Sequence, residues 1–232
     1  MTPIVSLRKV SKTYSLSKGR TLTALHGLDL EVQRGDFVII TGRSGSGKTT
    51  LLNLAAGLAR PTAGTVEHDG SDLWSMSDAE QSRLRNRRMG FVFQFPSLLP
   101  QLSTLQNVTL PLEFGDDAGD RHESAEGLLE LVGLGQRLDS YPRELSAGQQ
   151  QRVVIARALI SRPDLLFADE PSSDLDEDTE NEIMSLFARV HRERGVTIVM
   201  VTHTRQLVTF GTRHVQIADG RVQEEAVAVV SD

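Results

Sequence analysis

Residues 37–50 read FVIITGRSGSGKTT, and this stretch decides the fold. FVIIT is a short, uninterrupted apolar run of the kind buried on both faces in a parallel sheet. GRSGSGKT, Gly42 to Thr49, follows it and fits G-x-x-x-x-G-K-[ST]; an apolar helical pattern, residues 48–58, comes next. Strand, glycine-rich loop and helix in that order are the setting the motif requires. Gly42, Gly45 and Gly47 let the N–H groups of the loop, with Arg43, Ser44 and Ser46 between them, turn inward around phosphates. Lys48 brings a point charge to the outer phosphates, the Thr49 hydroxyl suits Mg²⁺, and Thr50 is expected to bind ATP beside it. The plainer alternative is a Gly/Ser-rich turn with an exposed lysine.

Outward from this unit, VSLRKV and ALHGLDLEV in the first 40 residues alternate like strands and predict a small antiparallel layer feeding the buried strand. From Ser77 to about Ser161 helical patterns dominate, broken by the strand GFVFQ, residues 90–94, and by loops around residues 96–121. Two more continuous apolar runs, LLFA (165–168) and VTIVMV (196–201), extend the expected parallel sheet.

Both runs end in residues with chemistry. Asp169 and Glu170 leave LLFA at its carboxyl edge, where open α/β sheets hold ligands. Alternation along a strand predicts that the two acids point apart and divide their tasks: Asp169 toward Mg²⁺, Glu170 toward orienting or deprotonating a water. A surface acidic pair capping the next helix through Pro171 is the alternative. His203 ends the third strand and puts an imidazole on the same rim.

The stretch ELSAGQQQRVVIARAL, Glu144 to Leu159, predicts a helix start. Ser146 and Gln149 form a capping box, and only Ala147 and Gly148 lie between them. With no bulky side chain there, the free N–H groups and the positive end of the helix dipole are open to an anion. A helix start and nothing more is the alternative reading.

The bulk numbers bound the rest. A chain of 232 residues with 39% apolar content can bury a core. Net charge is −6, and the basic run Arg83, Arg85, Arg87, Arg88 reads as a solvated helix face, so no nucleic-acid partner is expected. Cysteine is absent, which excludes disulfides and thiolate metal sites and fits a reducing compartment. No apolar run approaches the ~18 residues of a membrane helix, and MTPIVSLRKV lacks a signal peptide's apolar segment.

Taken together, the phosphate loop, LSAGQ (residues 145–149), the apolar strand ending in Asp-Glu and the downstream His make the chain resemble the ATP-binding subunit of ABC transporters, over Val5 to about Val222. The resemblance implies an α/β fold: a P-loop NTPase, RecA-like core with an antiparallel β layer and a helical subdomain. It implies one domain over 1–232, with core and β layer at about 1–93 and 162–232 and the helical subdomain at about 94–161. It assigns Leu145, Ser146, Ala147, Gly148 and Gln149 to a signature that holds the γ-phosphate bound by a second subunit. It places Tyr14 against adenine, Gln94 at Mg²⁺ and the membrane partner, and Ser172, Ser173, Asp174, Leu175 and Asp176 in a loop crossing the subunit interface. Mg-ATP hydrolysis, catalysed with Lys48, Glu170 and His203 and with Thr49, Gln94 and Asp169 at the metal, would power a separate membrane permease. A homodimer on ATP binding and a cytoplasmic, peripheral location on the inner face of the membrane are implied with it.

Against the family pattern, Ala147 stands for the more usual Gly, Gln106 for a Glu, and Asp174 for a small apolar residue; the carboxylate of Asp174 would slow dimer closure or meet a basic partner such as Arg43. Residues 90–112 resemble a narrower group serving lipoprotein-releasing and macrolide-exporting complexes. A non-transporting ATP switch of the cell-division type keeps the same site and is the second reading.

Overall fold

In a computed structural model, residues 2–114 and 124–227 are described; the end of the predicted loop region, 115–121, lies outside them. The chain divides into two compact units, one of residues up to Gln81 together with those from Thr197 on, the other running Ser82–Val196.

In the first unit β1 (Val5–Ser15) pairs antiparallel with β2 (Thr21–Val32) and with β4 (Ala63–His68), and the two-residue β5 (Ser71–Asp72) closes this sheet in the order β2-β1-β4-β5. A second group of strands holds β3 (Phe37–Thr41) between β8 (Thr197–Thr202) and β9 (Arg213–Ala218), both parallel to it, with β10 (Arg221–Val227) antiparallel on β9. All five residues of β3 and all six of β8 are buried, as their continuous apolar composition requires. The helix after the phosphate loop, α1 (Lys48–Ala55), stops short of residue 58, because Gly57 takes a positive φ of 65° and ends the turn.

The chain passes through α2 (Asp78–Arg88) into the second unit. Arg83 and Arg87 on this helix are exposed as expected, and Arg88 pairs with Asp164 at 2.5 Å. Here β6 (Met89–Val92) runs parallel to β7 (Leu165–Asp169), Val92 opposite Ala168. Phe91 stacks on its register partner Phe167 at 5.8 Å between centroids; a one-residue slip would put Phe91 on the other face, so this pair holds the register. The helices are α3 (Thr104–Thr109), α4 (Ala125–Leu131), α5 (Ala147–Leu159) and α6 (Glu177–Arg194). Residues 104–109 fall within the predicted loop region around 96–121 and are helical instead. Ser103 and Gln106 form a full capping box there, and buried Val108 and Asn107 face inward, which suffices for a short helix without strong periodicity. Val153, Val154 and Ile155 of α5 and Ile183, Phe187 and Val190 of α6 are all fully buried, each side chain contributing about 1.5–3 kcal/mol of burial.

Candidate functional site

Because β3 and β8 are parallel and in register, Thr41 lies beside Thr202, and the residues that follow, Gly42 and His203, leave the same rim. That register brings His203 to the phosphate loop. Gly42, Arg43, Ser44, Gly45 and Ser46 and the imidazole residue line one cavity of about 550 Å³, closed by Arg205 and by Gln216, Ile217, Ala218 and Asp219. The last four come from the end of β9, parallel to β3 on its other side, and the turn after it. No sequence signal marks Arg205 or Asp219 as part of this wall; strand order alone delivers them.

The loop is held from behind by the antiparallel layer. Gly220 N–H donates to the Ser46 carbonyl at 3.1 Å, while the Gly220 carbonyl accepts from His26 N–H at 3.0 Å, so β2 is tied to the loop through one residue. Gly47, the N-cap of α1, sits at φ 102°, and a Cβ there would lie 2.6 Å from the Ala24 carbonyl; no side chain is tolerated on either count. Lys48 is only 5% exposed. Its ammonium donates to the Gly42 carbonyl at 2.9 Å and to the Arg43 carbonyl at 3.2 Å, which curls the loop around the charge. The Ser46 hydroxyl is buried without a hydrogen-bond partner in a residue that lines this cavity, an unmet polar group that calls for an explanation. Thr49 stays exposed at the helix start. The Tyr14 hydroxyl is 3.5 Å from that of Thr50. Its ring, 37% exposed, carries the Lys12 ammonium at 5.1 Å from its centroid, a cation–π contact on the ring expected to stack on adenine.

The second unit carries the remaining expected residues. Asp169 is the last residue of β7, and Glu170 follows it at φ 45°, in the left-handed region. The two acids were expected to diverge by strand alternation; Glu170 is in fact past the strand, and its direction is set by this backbone turn, an unfavourable one for a residue with a Cβ. Neither acid caps the next helix. Asp176 does, accepting from Thr179 N–H at 3.0 Å and from the Thr179 hydroxyl at 2.7 Å. Those bonds, the backbone one first, hold its carboxyl below the usual carboxylate range. Between them Ser172 donates to Glu180 at 2.8 Å, and Asp174 is exposed.

Gln94 does not close a strand as GFVFQ suggested: β6 ends at Val92. The Phe93 carbonyl accepts from the Gln151 side chain of α5 at 3.4 Å instead of from a neighbouring strand, and Gln94 lies in the bend beyond. The capping box predicted at α5 is present in full, with Gln149 N–H on the Ser146 hydroxyl at 3.3 Å and Ser146 N–H on the Gln149 side-chain oxygen at 3.0 Å. Ser146 and Ala147 are exposed, so this helix end is open to solvent. Gly148 is small for a further reason: a Cβ there would stand 2.5 Å from the Thr179 methyl group at the start of α6. Gly148→Val is therefore expected to overpack this contact and cost about 1–3 kcal/mol, read as a lowered midpoint in urea unfolding.

A strand–phosphate loop–helix unit on a parallel group of strands, with an antiparallel layer and helices, defines a P-loop NTPase fold. The chain matches the ABC transporter family model over residues 25–173 and belongs to that family. It is 44% identical to the lipoprotein-releasing system ATP-binding protein LolD of Geobacter metallireducens, covering 96% of this chain and 99% of that protein. It is 45% identical to the macrolide export ATP-binding/permease protein MacB of Syntrophobacter fumaroxidans over 97% of this chain but only 32% of that protein, about a third of its length. Among solved structures it resembles the dimeric, post-hydrolysis ATP-binding cassette bound to ADP and Pi, with a TM-score of 0.86, 38% identity, and 97% and 99% of the two chains covered. Among the described residues no helix is long and apolar enough to cross a membrane.

Proposed function

We propose that this chain is one ATPase domain that hydrolyses Mg-ATP and powers a membrane permease of the exporter or lipoprotein-moving kind. The observation that carries the reading is the cavity shared by the phosphate loop and His203, with Lys48 folded inside the loop and a buried, unsatisfied Ser46 hydroxyl within it. Similarity to a cassette bound to ADP and Pi supports ATP as the ligand. Similarity to LolD and MacB supports the permease, as do Phe93, Phe95 and Leu99, exposed at 39%, 67% and 43% on the segment around Gln94. On this reading the chain sits on the inner face of the membrane, held there by its partner.

In this mechanism Lys48 and the loop N–H groups neutralise and orient the β- and γ-phosphates. Glu170 positions and deprotonates the attacking water, and His203, on the rim beside Gly42, holds the γ-phosphate in line. Tyr14 carries the base. Thr49, Gln94 and Asp169 offer a hydroxyl, an amide oxygen and a carboxylate, hard donors that fit Mg²⁺; when bound, the ion neutralises charge developing on the phosphates. The exposed N-terminus of α5 at Ser146 and Ala147 supplies N–H groups and a helix dipole to the γ-phosphate held by a second copy of the chain, with the 172–176 loop crossing between the copies. Each dimer then contains two complete sites.

Ser146→Arg tests this split site. ATP binding should stay within about twofold, since the phosphate loop is untouched, while turnover drops about 10²–10³-fold with the loss of the donors at the γ-phosphate. Phosphate release assayed beside nucleotide binding decides it, and turnover at the unsubstituted rate would reduce LSAGQ to a helix cap. The ATPase assignment itself fails if the purified chain, with Mg-ATP and its permease in vesicles, releases no phosphate.

A further inference from the structure

Gln94 lies in a stretch with no strand ladder of its own, and three side chains fasten that stretch. Gln151, 2% exposed on α5, donates to the Phe93 carbonyl at 3.4 Å. Arg157, in the last turn of the same helix, donates to the Pro96 carbonyl at 3.2 Å and to the Ser97 carbonyl at 3.0 Å. Asn107, fully buried on α3, accepts from Leu99 N–H at 2.8 Å and donates to the Leu99 carbonyl at 3.1 Å. At the Arg157 anchor, Ser97 adopts φ 45°, a left-handed turn that a serine holds only when its surroundings impose it. Burial pushes the Arg157 guanidinium below its ordinary value. A cation is being spent there on two backbone carbonyls, and its fork fixes the main chain in two places at once.

We infer that Arg157 is a positioning residue for the ATPase reaction, hanging the segment that bears Gln94 on the helix whose other end is the anion-ready Ser146. The assignment rests on the ATPase reading above. Arg157 lies eleven residues beyond Ser146 in sequence, about 16 Å along the helix axis. Two anchors on one rigid rod set Gln94 and the open helix end as one piece: a shift at either is passed to the other through α5. Neither the spacing within ELSAGQQQRVVIARAL nor its capping box distinguishes Arg157 from a solvated helix arginine.

The test uses Arg157→Met, which keeps the apolar stem and removes every donor, and Arg157→Lys, which keeps the charge but lacks the planar fork that holds two carbonyls at fixed separation. Hydrogen exchange on the full chain without nucleotide should speed at least about tenfold at amides 94–99 in Arg157→Met, while amides 150–156 of α5 keep their protection. The kcat for ATP should fall about 10- to 100-fold, in line with a misplacement near 1 Å, with KM and ATP affinity within about twofold. Arg157→Lys should recover part of both effects. In a Gln94→Ala background, Arg157→Met should lower kcat by less than about twofold more, because its effect runs through Gln94. Unchanged exchange at 94–99, full additivity with Gln94→Ala, or a fall in ATP affinity matching that in kcat would each overturn the assignment. If the chain without substitution releases no phosphate, the ATPase reading is what fails, and the exchange comparison still decides whether Arg157 pins the segment.

Discussion

Glu170→Gln should lower ATP turnover by about 10²–10⁴-fold, the usual share of a positioned general base, and leave ATP binding intact. The comparison is clean for a structural reason. Glu170 sits at φ 45°, and glutamine meets the same backbone cost there, keeps the side-chain reach and loses only basicity. Removing one carboxylate beside a triphosphate also relieves repulsion. The variant should therefore accumulate as an ATP-bound dimer, each copy giving its α5 N-terminus to the other's γ-phosphate. Size-exclusion chromatography should show a monomer-to-dimer shift with ATP and none with ADP; the unsubstituted chain should show the dimer only transiently. Hydrolysis at full rate by Glu170→Gln would move the base elsewhere, with His203 next in line because it already shares the cavity of the phosphate loop. Loss of ATP binding would make Glu170 structural.

Lys48→Ala should weaken ATP binding by at least about 30-fold. The ammonium is buried, and its hydrogen bonds to the Gly42 and Arg43 carbonyls shape the loop. The substitution thus removes the charge that faces the phosphates and leaves those carbonyls without it. Truncating one member of a buried charged pair costs about 2–5 kcal/mol, roughly 30- to several-thousand-fold in affinity. The fold should survive, since β3 and the Gly220 tie to Ser46 do not depend on the side chain. Titration with a fluorescent ATP analogue, beside a thermal melt, checks both halves. Undiminished affinity would remove the phosphate-loop assignment altogether.

The sequence by itself determined the local chemistry. FVIIT followed by GRSGSGKT can form little else than a buried strand, a loop and a helix start, because apolar continuity, glycine spacing and the lysine all act within a few residues. The Ser146–Gln149 capping box was legible on the same ground, both its bonds closing across three residues. Registers and close approaches were not. That His203 meets the phosphate loop follows from β8 lying parallel to β3 with Thr202 opposite Thr41, a pairing between segments some 160 residues apart. Gln94 was read into a strand because its neighbours are apolar; only the Gln151 side chain, which takes the Phe93 carbonyl, ends β6 two residues sooner. Gly148 looked small to leave a helix end open and proves to be small against Thr179 as well. Nothing in the sequence marks Arg157; its role appears only with the Pro96 and Ser97 carbonyls that it holds. Hydrogen bonds and clashes between distant segments depend on where the packed core sets each backbone, and the core is a property of all its side chains together, which no short window of residues contains.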